Sequence, residues 1–106
     1  MTEREISRDI QGLFRLVGFD VFSTEQGYRR DPGGTRMTPG IPDLWVMGHG
    51  MALWIEVKTP KGKLRDSQTA FRTCCFANGV DYQVMRSIAD AKEWLWENGI
   101  LEDPDA

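Results

Sequence analysis

The chain has 106 residues, of which 41% are hydrophobic and 27% charged, with a net charge of −3. That composition excludes disorder, and the length suits one domain with a single core. No apolar run approaches the roughly 20 residues of a membrane span, and the charged start Met1-Thr2-Glu3-Arg4-Glu5 is unlike a signal peptide, so a cytoplasmic protein is expected.

The elements follow in chain order. Residues 2–17 have helical spacing, with Ile6, Ile10, Leu13, Phe14 and Val17 in one stripe and Gly18 as the stop. Residues 19–22 form a short strand with Phe19 and Val21 on one face. A long polar loop rich in Gly, Pro and Arg runs over 23–40, and loops of that length in small domains are usually functional or mobile. Residues 42–47 and 51–58 make a hairpin turned by Gly48-His49-Gly50. A basic loop over 59–64 leads to a second helix over 66–78, with Asp66 as the expected N-cap and Gly79 after the end. A fourth strand covers 80–86. Ser87 caps a third helix that runs to about Asn98, where Ile88, Ala91, Trp94 and Leu95 form the inner stripe and Trp96 points away. The order α-β-β-β-α-β-α suits a mixed sheet with helices on its faces. The expected organisation is one domain over residues 1–101 and an acidic tail over 102–106.

Charge and cysteines add two points. The net negative charge argues against general nucleic-acid binding, yet basic residues cluster at Arg29, Arg30 and Arg36 and again at Lys58, Lys61, Lys63, Arg65 and Arg72. A polyanion responds to the local field rather than the sum. Cys74 and Cys75 are adjacent, which makes a bridge between them geometrically poor. There is no second pair for a zinc site. They are expected as buried thiols in a reducing compartment.

The chemistry concentrates in Gly40-Ile41-Pro42-Asp43 and Glu56-Val57-Lys58. By alternation Leu53, Ile55 and Val57 share one face of the third strand, and Trp54, Glu56 and Lys58 the other. Two charged groups on an otherwise apolar strand are costly to bury without a purpose. The plain alternative is a simple ion pair. With Asp43 near the start of the partner strand, paired carboxylates suit Mg²⁺ or Mn²⁺, hard cations that take oxygen ligands and keep waters. Lys58 can orient an attacking water, help lower its pKa, or stabilise charge growing on a phosphate. Carboxylates and Lys without a nucleophilic Ser or Cys favour metal-assisted hydrolysis over covalent catalysis.

Two further residues join by helical phase. At about 100° per residue Glu3 falls within the core stripe of the first helix, and Glu5 lies roughly 120° away. Glu3 is therefore the expected third acidic member; otherwise it is a terminal residue favoured by the helix dipole. Gln68 shares the inner stripe of the second helix with Phe71 and Cys75, so its amide faces the sheet, towards Lys58, a water or a phosphate. Its plain alternative is an exposed first-turn residue.

Taken together, these residues resemble the virus-type replication-repair nuclease (VRR-NUC) domain, a branch of the PD-(D/E)xK phosphodiesterase superfamily. The resemblance covers nearly the whole chain. It rests on Glu3 with Ile6 and Ile10, on Gly40-Ile41-Pro42-Asp43-Leu44, on Trp54-Ile55-Glu56-Val57-Lys58-Thr59-Pro60-Lys61-Gly62, and on Gln68 with Phe71. Val84-Met85-Arg86-Ser87 resembles the segment that carries the family's characteristic Arg. Arg65-Asp66-Ser67 departs from the Ser-Pro-Glu that often precedes the Gln.

The resemblance implies a restriction-endonuclease-like α/β fold and a Mg²⁺- or Mn²⁺-dependent DNA endonuclease. It implies Asp43, Glu56 and the backbone carbonyl of Val57 as metal ligands, with Glu3 joining directly or through water. Lys58 would act on the water or the phosphate, and Gln68 would support Lys58. Small standalone members look like phage or bacterial proteins and are associated with homodimers that cut branched DNA such as four-way junctions. A homodimer also suits the small size of the domain. A nuclease-like module that binds DNA without cutting it is the main alternative, and a phosphodiesterase acting on RNA or small nucleotides is another.

DNA contact is the favoured use of Tyr28, Arg29, Arg30 and Arg36 in the long loop and of Lys61, Lys63 and Arg65 after the third strand, since cations pair with phosphate and Tyr can stack on an unpaired base. The outward Trp96 points to a subunit interface. His49 is expected as an exposed turn residue.

Overall fold

The structure, a computed structural model, describes residues 1–24 and 38–102. Tyr28, Arg29, Arg30 and Arg36 lie outside the described residues, as does the acidic tail beyond 102.

The elements are α1 (Glu3–Leu16), β1 (Asp20–Ser23), β2 (Leu44–Gly48), β3 (Met51–Val57), α2 (Asp66–Ala77), β4 (Asp81–Met85) and α3 (Ile88–Glu97). Their order is the expected α-β-β-β-α-β-α. The four strands form one mixed sheet in the order β1-β2-β3-β4. β1 and β3 run antiparallel to β2, and β4 runs parallel to β3 through the α2 crossover. Among the described residues no helix is long and apolar enough to cross a membrane.

The core lies between one face of the sheet and the pair α1–α3. Ile6, Ile10 and Phe14 from α1 and Ala91, Trp94 and Leu95 from α3 pack on Leu44, Val46, Leu53, Ile55, Val57 and Met85. The helical and alternating stripes of the sequence therefore meet in one cluster. On the opposite face α2 covers Trp54, Glu56 and Tyr82. Its Phe71 ring lies 5.5 Å from Trp54 and 6.3 Å from Tyr82, and Trp45 lies 4.6 Å from Trp54. This aromatic row walls the site with apolar surface.

Several expected boundaries shift for local reasons. The β2 ladder starts at Leu44 rather than at residue 42, because Pro42 has no N–H to donate and the Val57 N–H turns to the Asp43 side chain instead. The N-cap of α2 is Arg65, not Asp66; Gln68 in the third helical position accepts from the Arg65 N–H at 2.8 Å. Cys75 is buried as expected, but Cys74 is exposed, and both are free thiols. His49 is exposed, yet it does more than turn the hairpin. Its positive φ of 53° beside that of Gly50 at 76° gives the mirror-image turn favoured by two-residue hairpins. Its Nε2 hydrogen-bonds the Val17 carbonyl at 2.6 Å and its ring lies 4.9 Å from that of Phe19. The hairpin tip is thereby fastened to the C-terminus of α1.

Candidate active site

Asp43 sits in the turn that delivers the chain into β2, and three contacts hold it there. Its Oδ2 accepts from the Val57 N–H at 2.8 Å. The Thr24 N–H donates to the Asp43 carbonyl at 2.9 Å, and the Thr24 hydroxyl to the Pro42 carbonyl at 2.7 Å. The approach depends on Gly40. With φ at +89°, a Cβ there would lie 2.2 Å from the Ser67 carbonyl oxygen. The absence of a side chain lets the Asp43 turn rest directly on the first turn of α2, one residue before Gln68.

Glu56 lies at the centre. It is 2% exposed, on the α2 face of β3. Gln68 donates from Nε2 to its Oε1 at 2.8 Å, and the Lys58 Nζ stands 3.9 Å from the same oxygen. The other oxygen, Oε2, is buried and has no hydrogen-bond donor among the described residues. Burial pushes the carboxyl up from its ordinary 4.5 to about 8; the charge of Asp43 and, less, that of Glu3 and a side-chain hydrogen bond with Asp43 add to the rise, and Lys58 opposes it. Without a cation Glu56 therefore keeps a proton at neutral pH.

Lys58 is also buried, at 8% exposure. The Lys58–Glu56 pair is therefore a buried one, and burying both groups is costly unless further partners satisfy them. Tyr82 adds a further buried polar atom: its hydroxyl has no partner among the described residues. Burial, and then the charge of Glu56, pushes its pKa up.

A hard divalent cation makes defined demands on these donors. Among the described residues no three His, Cys, Asp or Glu side chains converge into a ready-made cluster. Mg²⁺ does not require one, because it is commonly held by one or two carboxylates and keeps several waters. The orphaned Oε2 of Glu56 beside Asp43 is the kind of unsatisfied oxygen that a cation relieves, and a bound cation would drive the proton off Glu56. The residues fit.

The other expected residues divide. Glu3, expected to point inward with the core stripe, is instead exposed at the start of α1, and only its charge reaches Glu56. Glu5 is engaged elsewhere. It accepts from the Thr2 N–H at 3.1 Å in a capping box, which lowers its pKa. Gln68 reaches Glu56 and not Lys58 directly, so it meets Lys58 only through the shared oxygen. Lys61, Lys63 and Arg65 are exposed around the loop after β3.

Arg86 is the contributor that sequence reasoning left without a role. Its Nη1 donates to the carbonyls of Thr59 at 2.8 Å and Gly62 at 2.6 Å. One guanidinium thus folds the basic loop immediately after Lys58. The sequence offered only the likeness of Val84-Met85-Arg86-Ser87 to a family segment; the pairing of Val57 with Met85, which sets Arg86 beside Lys58 at the same strand ends, comes from the fold. Thr24 carried no comparable signal.

No family model matches the sequence, and no curated protein matches it. A search of solved structures finds a chain described as a VRR_NUC domain, with a TM-score of 0.68 and 23% sequence identity over 92% of this chain and 96% of that one. The likeness is one of fold: this chain has the architecture of that VRR_NUC domain, the restriction-endonuclease-like α/β arrangement that the sequence resemblance implied.

Proposed function

We propose that this protein is a Mg²⁺- or Mn²⁺-dependent endonuclease that hydrolyses DNA phosphodiester bonds, selective for branched DNA such as four-way junctions and working as a homodimer. The observation that carries the reading is Glu56, a buried carboxyl with one oxygen tied to Gln68 and Lys58 and the other without a donor beside Asp43. Neither a binding surface nor a structural core needs that arrangement. The fold likeness to a VRR_NUC domain supports the same reading.

Asp43, Glu56 and the Val57 carbonyl would hold the cation, with Glu3 joining directly or through water. When bound, the cation lowers the pKa of a coordinated water and polarises the phosphate. The chain's own residues do the rest. The Val57 N–H fixes one oxygen of Asp43, and Gln68 fixes the orientation of Glu56. Lys58 donates to the attacking water or to a non-bridging phosphate oxygen and neutralises the charge that develops there. Arg86 holds the loop that carries Lys61 and Lys63 towards the DNA backbone. Phe22 and Met47, both exposed at the β1–β2 end of the sheet face on which α2 packs, support a subunit contact.

A cleavage panel of linear, flapped and four-way DNA in Mg²⁺, Mn²⁺ and EDTA tests the reading. The expected result is cutting of the four-way substrate with either ion and none in EDTA, abolished by Asp43→Ala or Lys58→Ala. Binding without cutting under all conditions would instead identify a nuclease-like DNA-binding module. A protein strictly monomeric in sedimentation, yet active on junctions, would remove the homodimer.

A further inference from the structure

The outer face of α1 carries a row of cations that the site described above does not use. Arg4, Arg8 and Arg15, with Gln11 between them, recur at helical spacing and form one stripe. The stripe lines a cleft that begins at Glu3 and reaches Ser23 at the end of β1. All three arginines are exposed, and none forms an ion pair with an acidic side chain among the described residues. Arg15 is pre-aligned: its Nη2 donates to Gln11 Oε1 at 3.4 Å, and Gln11 Nε2 to the Ser7 hydroxyl at 3.1 Å. Glu3 and Glu5 also line this cleft, and Glu5 stands close enough to Arg8 for that charge to help lower its pKa, so three guanidiniums face two carboxylates and the lining keeps a small positive excess.

A second observation concerns Gly12, one turn after Arg8 on the same side of the helix. Glycine in a helix interior is unfavourable relative to alanine. Here nothing lies within 4 Å of where its Cβ would stand, so packing within the chain does not call for it. A missing side chain beside a row of unpaired arginines leaves room for a ligand backbone to approach the helix.

We propose that this face of α1 is a track for the phosphodiester backbone of the nucleic acid as it leaves the Asp43–Glu56 site past Glu3, with Gly12 as the point of closest approach. The proposal rests on the nuclease reading above. Arg4 to Arg15 spans about 16 Å along the helix, and duplex phosphates recur about every 3.4 Å of axis per strand. The track therefore engages roughly five nucleotides on one side of the cut. It also explains how a chain with a net charge of −3 holds a polyanion.

The test uses the full chain with the triple substitution Arg4→Gln, Arg8→Gln, Arg15→Gln, and Lys92→Gln on the exposed side of α3 as the control. Binding to fluorescent duplexes with 2 to 10 flanking nucleotides is measured by anisotropy across a salt series, in EDTA so that nothing is cut. Wild-type affinity should rise with flank length to about five nucleotides and then level off. The triple variant should lose tenfold or more, lose that length dependence, and show a salt slope shallower by about 2 to 3. It should still cleave a small chromogenic phosphodiester at the wild-type rate. Gly12→Leu should melt higher than wild type and bind the duplex more weakly. Wild-type affinity and salt slope in the triple variant would overturn the track. If the wild type cleaves nothing, the nuclease reading itself fails, which is distinct from an active wild type whose triple variant binds unchanged.

Discussion

The Gln68 side-chain amide donates to Oε1 of Glu56 across 2.8 Å. Both residues are buried, and the bond joins the first turn of α2 to the penultimate residue of β3. Gln68 also accepts from the Arg65 N–H with its amide oxygen. The two bonds fix which way the amide points. Replacing Gln68 by Leu should leave Oε1 to Lys58 alone. Cleavage should fall by about 10- to 100-fold, with a higher Mg²⁺ concentration needed for half-maximal rate. The lost cap at Arg65 should lower stability by about 1 kcal/mol. A Mg²⁺ titration of cleavage, paired with urea unfolding, separates the two effects.

Glu56 makes stability depend on pH in a stated direction. Its carboxyl is raised from 4.5 to about 8 by burial and then by Asp43. The unfolded chain loses this proton near pH 4.5 and the folded chain keeps it to about pH 8. In that window the folded state binds more protons, so stability falls as pH rises and levels off above it. Melts in EDTA from pH 5 to 9 should show the decline, and Glu56→Gln should flatten it. Adding Mn²⁺ at pH 8 should raise the wild-type melting temperature and leave that of Glu56→Gln nearly unchanged.

Glu3 and Glu5 should separate cleanly. Glu3→Gln removes a charge that reaches Glu56, and should weaken Mg²⁺-dependent cleavage several-fold with little change in melting temperature. Glu5→Gln touches the cap on Thr2 and a charge beside Arg8, away from Glu56, and should leave single-turnover cleavage as in wild type. Parallel single-turnover assays of the two variants provide the check.

How much of this was readable from the chain follows from the range of each contact. Strand alternation set Glu56 and Lys58 apart from Leu53, Ile55 and Val57, and helical phase placed the core stripe of α1, but phase also put Glu3 inward, whereas Glu3 is exposed and Glu5 is the more covered of the two. Alternation and phase are local periodicities, and the core faces follow from them. The partner of Gln68 was not legible, because a helical wheel says only that an amide faces the sheet; which acceptor it meets depends on where the crossover sets α2. The reach of Arg86 back to Thr59 and Gly62 likewise depends on the register of β4 against β3. Gly40 read as part of a motif, and its reason is a close approach to a residue 27 positions away.

That approach gives a stability prediction. At Gly40 a Cβ would meet the Ser67 carbonyl and φ is positive. Gly40→Ala should cost about 2 kcal/mol or more in urea unfolding. It should also depress cleavage beyond the loss of folded protein, because the displaced turn carries Asp43. Gly50→Ala has a positive φ but open space around it, so it should be the milder of the two.

The central claim is that Asp43 and Glu56 together hold the cation used for cutting. Anomalous diffraction from crystals soaked in Mn²⁺ tests it most directly. The account predicts a single strong peak between the Asp43 carboxylate and Oε2 of Glu56, absent from Asp43→Ala crystals. A cleavage-competent protein whose Mn²⁺ peak lies away from both carboxylates would contradict it.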